Sequence, residues 1–165
     1  VLLIQLTLRS FSYLNTTTDY QIAVRAGMSF LIVSCLIGFL ILWHGHSQVQ
    51  VGQDPSTFGK AGVTKFPHGI AIHSLQFFPV LCWLFTKLGL TMNERIRSMK
   101  CIITMMIGLL CLSAFQTLSG RDRFQLSLPS IFLFAISVGF LIPVAWIVTK
   151  HFAASCHKIY SNWKK

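Results

Sequence analysis

The chain has 165 residues, of which 53% are hydrophobic and 11% charged, with a net charge of +10 at pH 7. A soluble domain carries about 25% charged residues, so this composition excludes an ordinary water-soluble globule and points to a membrane protein. The Lys and Arg residues collect at the ends of apolar runs rather than along one stripe, which excludes a nucleic-acid reader and makes the lipid bilayer the expected partner.

Residues 1–21 read as an N-terminal interfacial segment or the end of a lost helix: VLLIQLTL is apolar, and Arg9 and NTTTDYQ follow. The chain opens on Val1 rather than Met, so truncation at the N-terminus is expected, and no signal-peptide pattern is present. Residues 22–150 form the transmembrane domain. Its first span, 22–43, is long enough for a hydrocarbon core of about 30 Å. Gly27, Ser34 and Gly38 share one stripe of this span, where small side chains admit a neighbouring backbone. Arg25, in its first turn, is expected to snorkel to the headgroups. Residues 44–67 read as a polar loop carrying glycines and prolines.

The second span, 68–90, begins behind Pro67 and contains Pro79, which removes one backbone donor, pushes away the Leu75 carbonyl and predicts a kink. TMNERIR (91–97) reads as a charged turn, 98–118 as the third span, SGRDRFQ as a polar connection, and 128–150 as the fourth span, bent or broken at Pro143. Residues 151–165 make a basic, aromatic tail suited to an anionic membrane surface. Arg9, Arg25, Lys87, Arg95, Arg97, Lys100, Lys150, Lys158, Lys164 and Lys165 belong to one side, and Lys60, Lys65, Arg121 and Arg123 to the other. Ten against four predicts both termini on the cytoplasmic side of a bacterial inner membrane. The fold class expected is therefore an all-α, polytopic four-helix transmembrane bundle. The five cysteines, an odd number without a CxxC pair, predict neither a disulfide framework nor a zinc knuckle.

The candidate chemistry lies on the second span. PHGIAIHSLQFFPVLCW (67–83) places His73, Gln76 and Pro79 within two turns of an apolar helix. At about 100° per residue, His73 and Gln76 lie about 60° apart on one face with Gly69 and Val80, whereas His68 lies about 140° from His73, at the helix entrance. An imidazole and an amide inside a membrane are expected to face protein rather than acyl chains. His44 and His46 end the first span and Gln116 nears the end of the third, so His44, His73, Gln76 and Gln116 are expected to converge in the outer half of the bundle. In that reading His73, with His44, ligates haem iron or a transition metal, and Gln76 and Gln116 support the cofactor.

The plainer reading is interhelical hydrogen bonding by His73 and Gln76 in a structural or accessory subunit, whose Gly27–Ser34–Gly38 stripe packs on other membrane subunits or a homo-oligomer partner. The HGH triplet lacks carboxylate or thiolate partners to complete coordination. No Asp or Glu falls inside a predicted span, which argues against a proton-coupled transporter and a di-iron carboxylate enzyme. No nucleophile–base pair or phosphate loop is visible.

KFPHGIAIHSLQFFPVL, from Lys65 to Leu81, resembles the signature of an uncharacterised group of bacterial multi-pass membrane proteins with an H…HxxQ…P transmembrane helix. Arg25 and Gly27 match that group's Arg-x-Gly start to the preceding helix, and Gln116, Gly120 and Arg121 match its Gln and Gly-Arg after the following one. The resemblance spans most of the chain, and His73 with Gln76 is its distinctive motif; the group's acidic stretch before the His helix is missing here. It implies the same topology and the same focus on His73, and it supplies no reaction.

Overall fold

The computed structural model describes residues 2–12, 16–52, 65–121, 125 and 127–163, with the side chains of Leu2, Leu3 and residues 154–163 excepted. The middle of the expected loop (53–64) and Arg123 lie outside the described residues. The described chain is all-α: α1 (Leu2–Ser12), α2 (Thr18–Gln50), α3 (Lys65–Lys87), α4 (Met92–Leu118), α5 (Leu128–Gly139) and α6 (Leu141–Trp163). Four stretches are long and apolar enough to cross a bilayer, namely α2, α3, α4 and the run Leu128–Ala153 through α5 into α6. The described residues thus form a helical membrane bundle with four spans, as the composition leads one to expect.

Several boundaries differ from the expectation, each for a local reason. α2 has 33 residues, about 50 Å at 1.5 Å per residue, so it overruns a hydrocarbon core of about 30 Å. His44 to Gln50 continue this helix instead of opening the loop, because no proline interrupts them; the turn comes at Val51–Gly52, where Gly52 takes φ +72°. α4 starts at Met92, so most of the expected charged turn is helix. A capping box sets that start: Thr91 N–H donates to Glu94 Oε2 at 2.9 Å, and Glu94 N–H donates to Thr91 Oγ1 at 3.4 Å. α6 runs on to Trp163, so the tail continues the fourth span as helix.

The turn between α3 and α4 is equally specific. Gly89 (φ +73°) reverses the chain while Leu90 N–H reaches back to Phe85 O at 3.1 Å, closing the last turn of α3 in a Schellman-type cap. The break between α5 and α6 falls at Phe140, three residues ahead of Pro143. The Pro143 ring excludes the carbonyl of Gly139, the residue four before it, which ends α5 there. α3, by contrast, stays helical through Pro79.

α2 and α3 pack along their lengths, α4 lies against both, and α5 and α6 pack on α4. The buried face of α2 is Asp19, Ala23, Gly27, Phe30 and Ser34, at helical spacings of three and four. It meets Pro67, Ala71, Ser74, Phe78, Cys82 and Phe85 of α3, with the Phe30 and Phe78 rings edge to face at 5.6 Å. Gly27 sits where a Cβ would come within 3.0 Å of Leu75 Cα and 3.6 Å of Leu75 O, the carbonyl that Pro79 leaves without its helical donor. The stripe Gly27–Ser34–Gly38 therefore packs on α3 of its own chain. That corrects the expectation that it serves a partner subunit. Arg25 is likewise engaged internally: its Nη2 and Nε donate to Phe11 O at 2.8 Å and Ser10 O at 3.3 Å, closing the C-terminal carbonyls of α1.

Candidate functional site

α3 separates its two intramembrane histidines onto different faces. Its buried stripe (Ala71, Ser74, Phe78) turns towards the bundle, so residues 69, 73, 76 and 80 turn away from it. His73 and Gln76 are exposed. With Phe77 and Val80 of α3 and Met106 of α4 they line an open, mostly apolar groove of about 430 Å³. Gln76 is the middle residue of the 23 in α3, and His73 lies about 4.5 Å from it along the axis. Neither side chain hydrogen-bonds to another described residue, so the expected interhelical bonds of this pair are not made among the described residues.

The other expected members of the site lie elsewhere. Gln116 is 2% exposed, with Oε1 buried and unpartnered. It sits ten residues beyond Met106, about 15 Å along α4, and faces the bundle interior rather than the groove. His44 is exposed on the far end of α2, six residues past Gly38. Since Gly38 touches His68, and His68 precedes His73 by five residues, His44 and His73 stand about 16 Å apart along the bundle. His46 pairs with Gln50 on the same helical extension (Nε2···Nε2, 3.1 Å). The structure joins His73 with Gln76, and leaves His44 and Gln116 out. Among the described residues no group of three or more His, Cys, Asp or Glu is placed to hold a metal ion.

His68 carries the interhelical bonds expected of His73. Its Nδ1 donates to Ser34 O at 2.9 Å, with Ser34 Oγ also 3.0 Å away, and Ser34 Oγ donates to the His68 carbonyl at 3.3 Å. Gly38 leaves room for the ring, since a Cβ there would lie 3.3 Å from His68 Cε1. The imidazole is a clasp between α2 and α3.

At the opposite end of the same helices is a buried polar centre that the sequence reading missed. Asp19, assigned to the interfacial segment, lies in the first turn of α2 and is fully buried. Its Oδ2 meets Arg95 Nη1 at 3.3 Å and accepts from Cys82 Sγ at 3.1 Å. Arg95 also donates to Thr86 Oγ1 of α3. Asp19 Oδ1, Arg95 Nε and the Oγ of buried Ser98 have no partner among the described residues. Next to Arg95, Glu94 meets His151 Nε2 of α6 at 2.9 Å. The first turns of α4 thereby tie together α2, α3 and α6.

Asp19 lies outside the expected span 22–43, but the helix that contains this span starts at Thr18 and so carries a carboxylate in its first turn. Two signals mark this centre in the sequence: Asp19 stands one helical turn before Ala23 and two before Gly27, and Thr91-x-x-Glu94 is a capping-box pattern. Chemically, the arrangement is a neutral ion pair with a thiol donating into it. Comparison with protein-family models, curated proteins and solved structures returns no match for this chain.

Proposed function

We propose that this protein is a membrane-embedded, redox-type ligand-binding bundle that holds its ligand against the α3–α4 groove, with His73 as principal donor and Gln76 beside it. The observation that carries this reading is a pair of hydrogen-bonding side chains at the midpoint of a span, facing out of the chain among apolar neighbours. Polar groups at that depth are expensive unless something occupies them, and they mark functional sites. A pocket that is mostly apolar with a few polar groups is the usual form of a small-molecule site.

Of the cofactors considered, haem suits the donor set. Its iron accepts a single imidazole, and its macrocycle favours apolar walls such as Phe77, Val80 and Met106. A bare transition metal needs three or four donors, which the groove does not bring together. Bound haem would supply one-electron chemistry; the chain supplies the imidazole, an amide to orient it or the ligand edge, and a dry wall. Titrating purified, reconstituted protein with ferric haem should give a Soret shift that His73→Ala abolishes and Gln76→Ala weakens about 10–100-fold. A titration that His73→Ala leaves unchanged would sink this reading. A clean spectrum together with a copurifying membrane subunit would favour the accessory-subunit alternative.

The same proposal places the Asp19–Arg95 end on the cytoplasmic side of a bacterial inner membrane, from the distribution of basic residues. Thiol labelling should find Asn93→Cys, at an exposed position, accessible from that side and Lys60→Cys from the other. The reverse pattern would invert the assignment.

A further inference from the structure

We infer that the Asp19–Arg95 centre is a binding site for a buried water molecule, held jointly by Asp19 Oδ1, Arg95 Nε and Ser98 Oγ. The site lies in a different part of the bundle from the α3–α4 groove and stands independently of it.

The geometry of the ion pair brings the three atoms together. Asp19 Oδ2 meets Arg95 Nη1 at 3.3 Å. Oδ1 belongs to the same carboxylate and Nε to the same guanidinium, so both flank that contact. Ser98 follows Arg95 by three residues, on the same face of α4 and about 4.5 Å further along its axis. α3 runs antiparallel to α4 through the turn at Gly89. Cys82, four residues before Thr86, therefore lies about 6 Å beyond the level at which Thr86 meets Arg95. Ser98 and Cys82 thus stand at nearly one depth, and the Cys82 thiol reaches the Asp19 carboxylate at 3.1 Å. α2 and α4 pack on each other, and Asp19 and Ser98 are both fully buried.

All three atoms are shielded from solvent and have no hydrogen-bond partner among the described residues. Buried polar atoms are almost always hydrogen-bonded, so three orphans around one contact call for an occupant. Their chemistry selects it. The carboxylate disfavours an anion and the guanidinium a cation, and among the described residues no set of metal ligands gathers here. A small neutral molecule that both donates and accepts fits. Water donates to Asp19 Oδ1, accepts from Arg95 Nε–H and shares one further bond with Ser98 Oγ, which serves as donor or acceptor. Three bonds is the usual number for a water sealed inside a protein. The Arg95 side chain, 14% exposed, gives the molecule a way in. Gln116 Oε1 marks the contrast. It is also buried and unpartnered, but it stands about 27 Å along α4 from Ser98, and a single polar partner does not hold a water.

The test uses the isotope-labelled full chain in lipid bilayers and solid-state NMR with magnetisation transferred from water to protein. Ser74 and Ser113 are the controls: both are as buried as Ser98, and their hydroxyls donate within their own helices, to Ile70 O at 3.0 Å and Leu110 O at 2.8 Å. The backbone amides of Asp19 and Ser98 should receive magnetisation several-fold more strongly than those of Ser74 and Ser113. Ser98→Ala, which removes one of the three partners, should cut the transfer to Asp19 several-fold, whereas Ser113→Ala should leave it unchanged. Transfer to Asp19 and Ser98 no stronger than to the two controls overturns the inference, and this arm needs no variant to fold. Transfer to Asp19 that survives Ser98→Ala unchanged also overturns it, by showing water at the open end of α2 rather than a site shared with α4.

Discussion

The two polar regions of this membrane domain are opposites. At one end Asp19, Cys82, Arg95 and Thr86 bring a carboxylate, a thiol, a guanidinium and a hydroxyl from three helices into mutual contact, and the chain closes around them. At mid-span His73 and Gln76 face outward and hydrogen-bond to no polar group among the described residues. Both arrangements put polar atoms where water is scarce. Only the first pairs its charges within the chain. The contrast teaches that polarity in such a bundle has two uses: a charge-paired network fixes how helices assemble, while an outward polar pair is left open to a partner from outside the described residues.

The comparison can be broken most forcefully at Arg95. Arg95→Met leaves the fully buried Asp19 carboxylate without its counter-charge, and breaking such a pair from one side costs about 3–5 kcal/mol. Denaturant unfolding in detergent should show this loss. Asp19→Asn combined with Arg95→Met removes both charges and should recover most of it, since the uncompensated charge rather than the missing bond dominates. A double variant as unstable as Arg95→Met alone would mean that the pair is not a closed unit.

A smaller effect is expected from Gly27. A valine there must displace the Leu75 backbone, which belongs to a continuous helix and has little freedom to move. Overpacking of this kind costs about 1–3 kcal/mol. Gly69, on the outward face of α3 with open space where its Cβ would sit, is the matched control, and Gly69→Ala should be neutral or slightly stabilising through helix propensity. Equal losses at the two glycines would remove the distinction between the inner and outer faces of α3.

How far the sequence discloses this structure depends on the kind of signal. Four spans follow from apolar runs of bilayer length, and the partition of α3 into two faces follows from its 100° period, which groups His73, Gln76 and Val80 as the structure does. The period does not tell which face is inward. Hydrophobicity fails as a guide there, because inside a bilayer the outward face is as apolar as the core; small residues decide instead, and Ala71, Ser74 and Cys82 mark the inner face of α3. The reach of α2 past the membrane was hidden because polarity at His44–Gln50 resembles a loop, although no helix breaker ends it before Gly52. Asp19 was hidden by its neighbours: NTTTDYQ reads as an interfacial stretch, and only the position of Arg95 on another helix makes its burial affordable. Gln116 and His44 illustrate the limit of coarse depth arguments: both lie towards the expected end of the bundle, yet each stands about 15 Å along the axis from the groove, and Gln116 faces the interior.

The smallest effects on stability separate the two histidines. His68, at the helix entrance, is the imidazole that bonds to Ser34 and lies against Gly38. His68→Ala should cost about 0.6 kcal/mol and at most about 1.7, the range of interhelical hydrogen bonds in membranes. His73→Ala removes a side chain that hydrogen-bonds to no polar group among the described residues, so in ligand-free protein its cost should stay within about 0.5 kcal/mol, as for surface positions. Haem titration should invert the ranking: His73→Ala loses binding, while His68→Ala, whose ring faces α2, retains it. The two readouts together matter more than either alone. Should His73→Ala prove the more destabilising in ligand-free, monomeric protein, the outward orientation of this face would be wrong, and the pair would belong to the bundle's own packing.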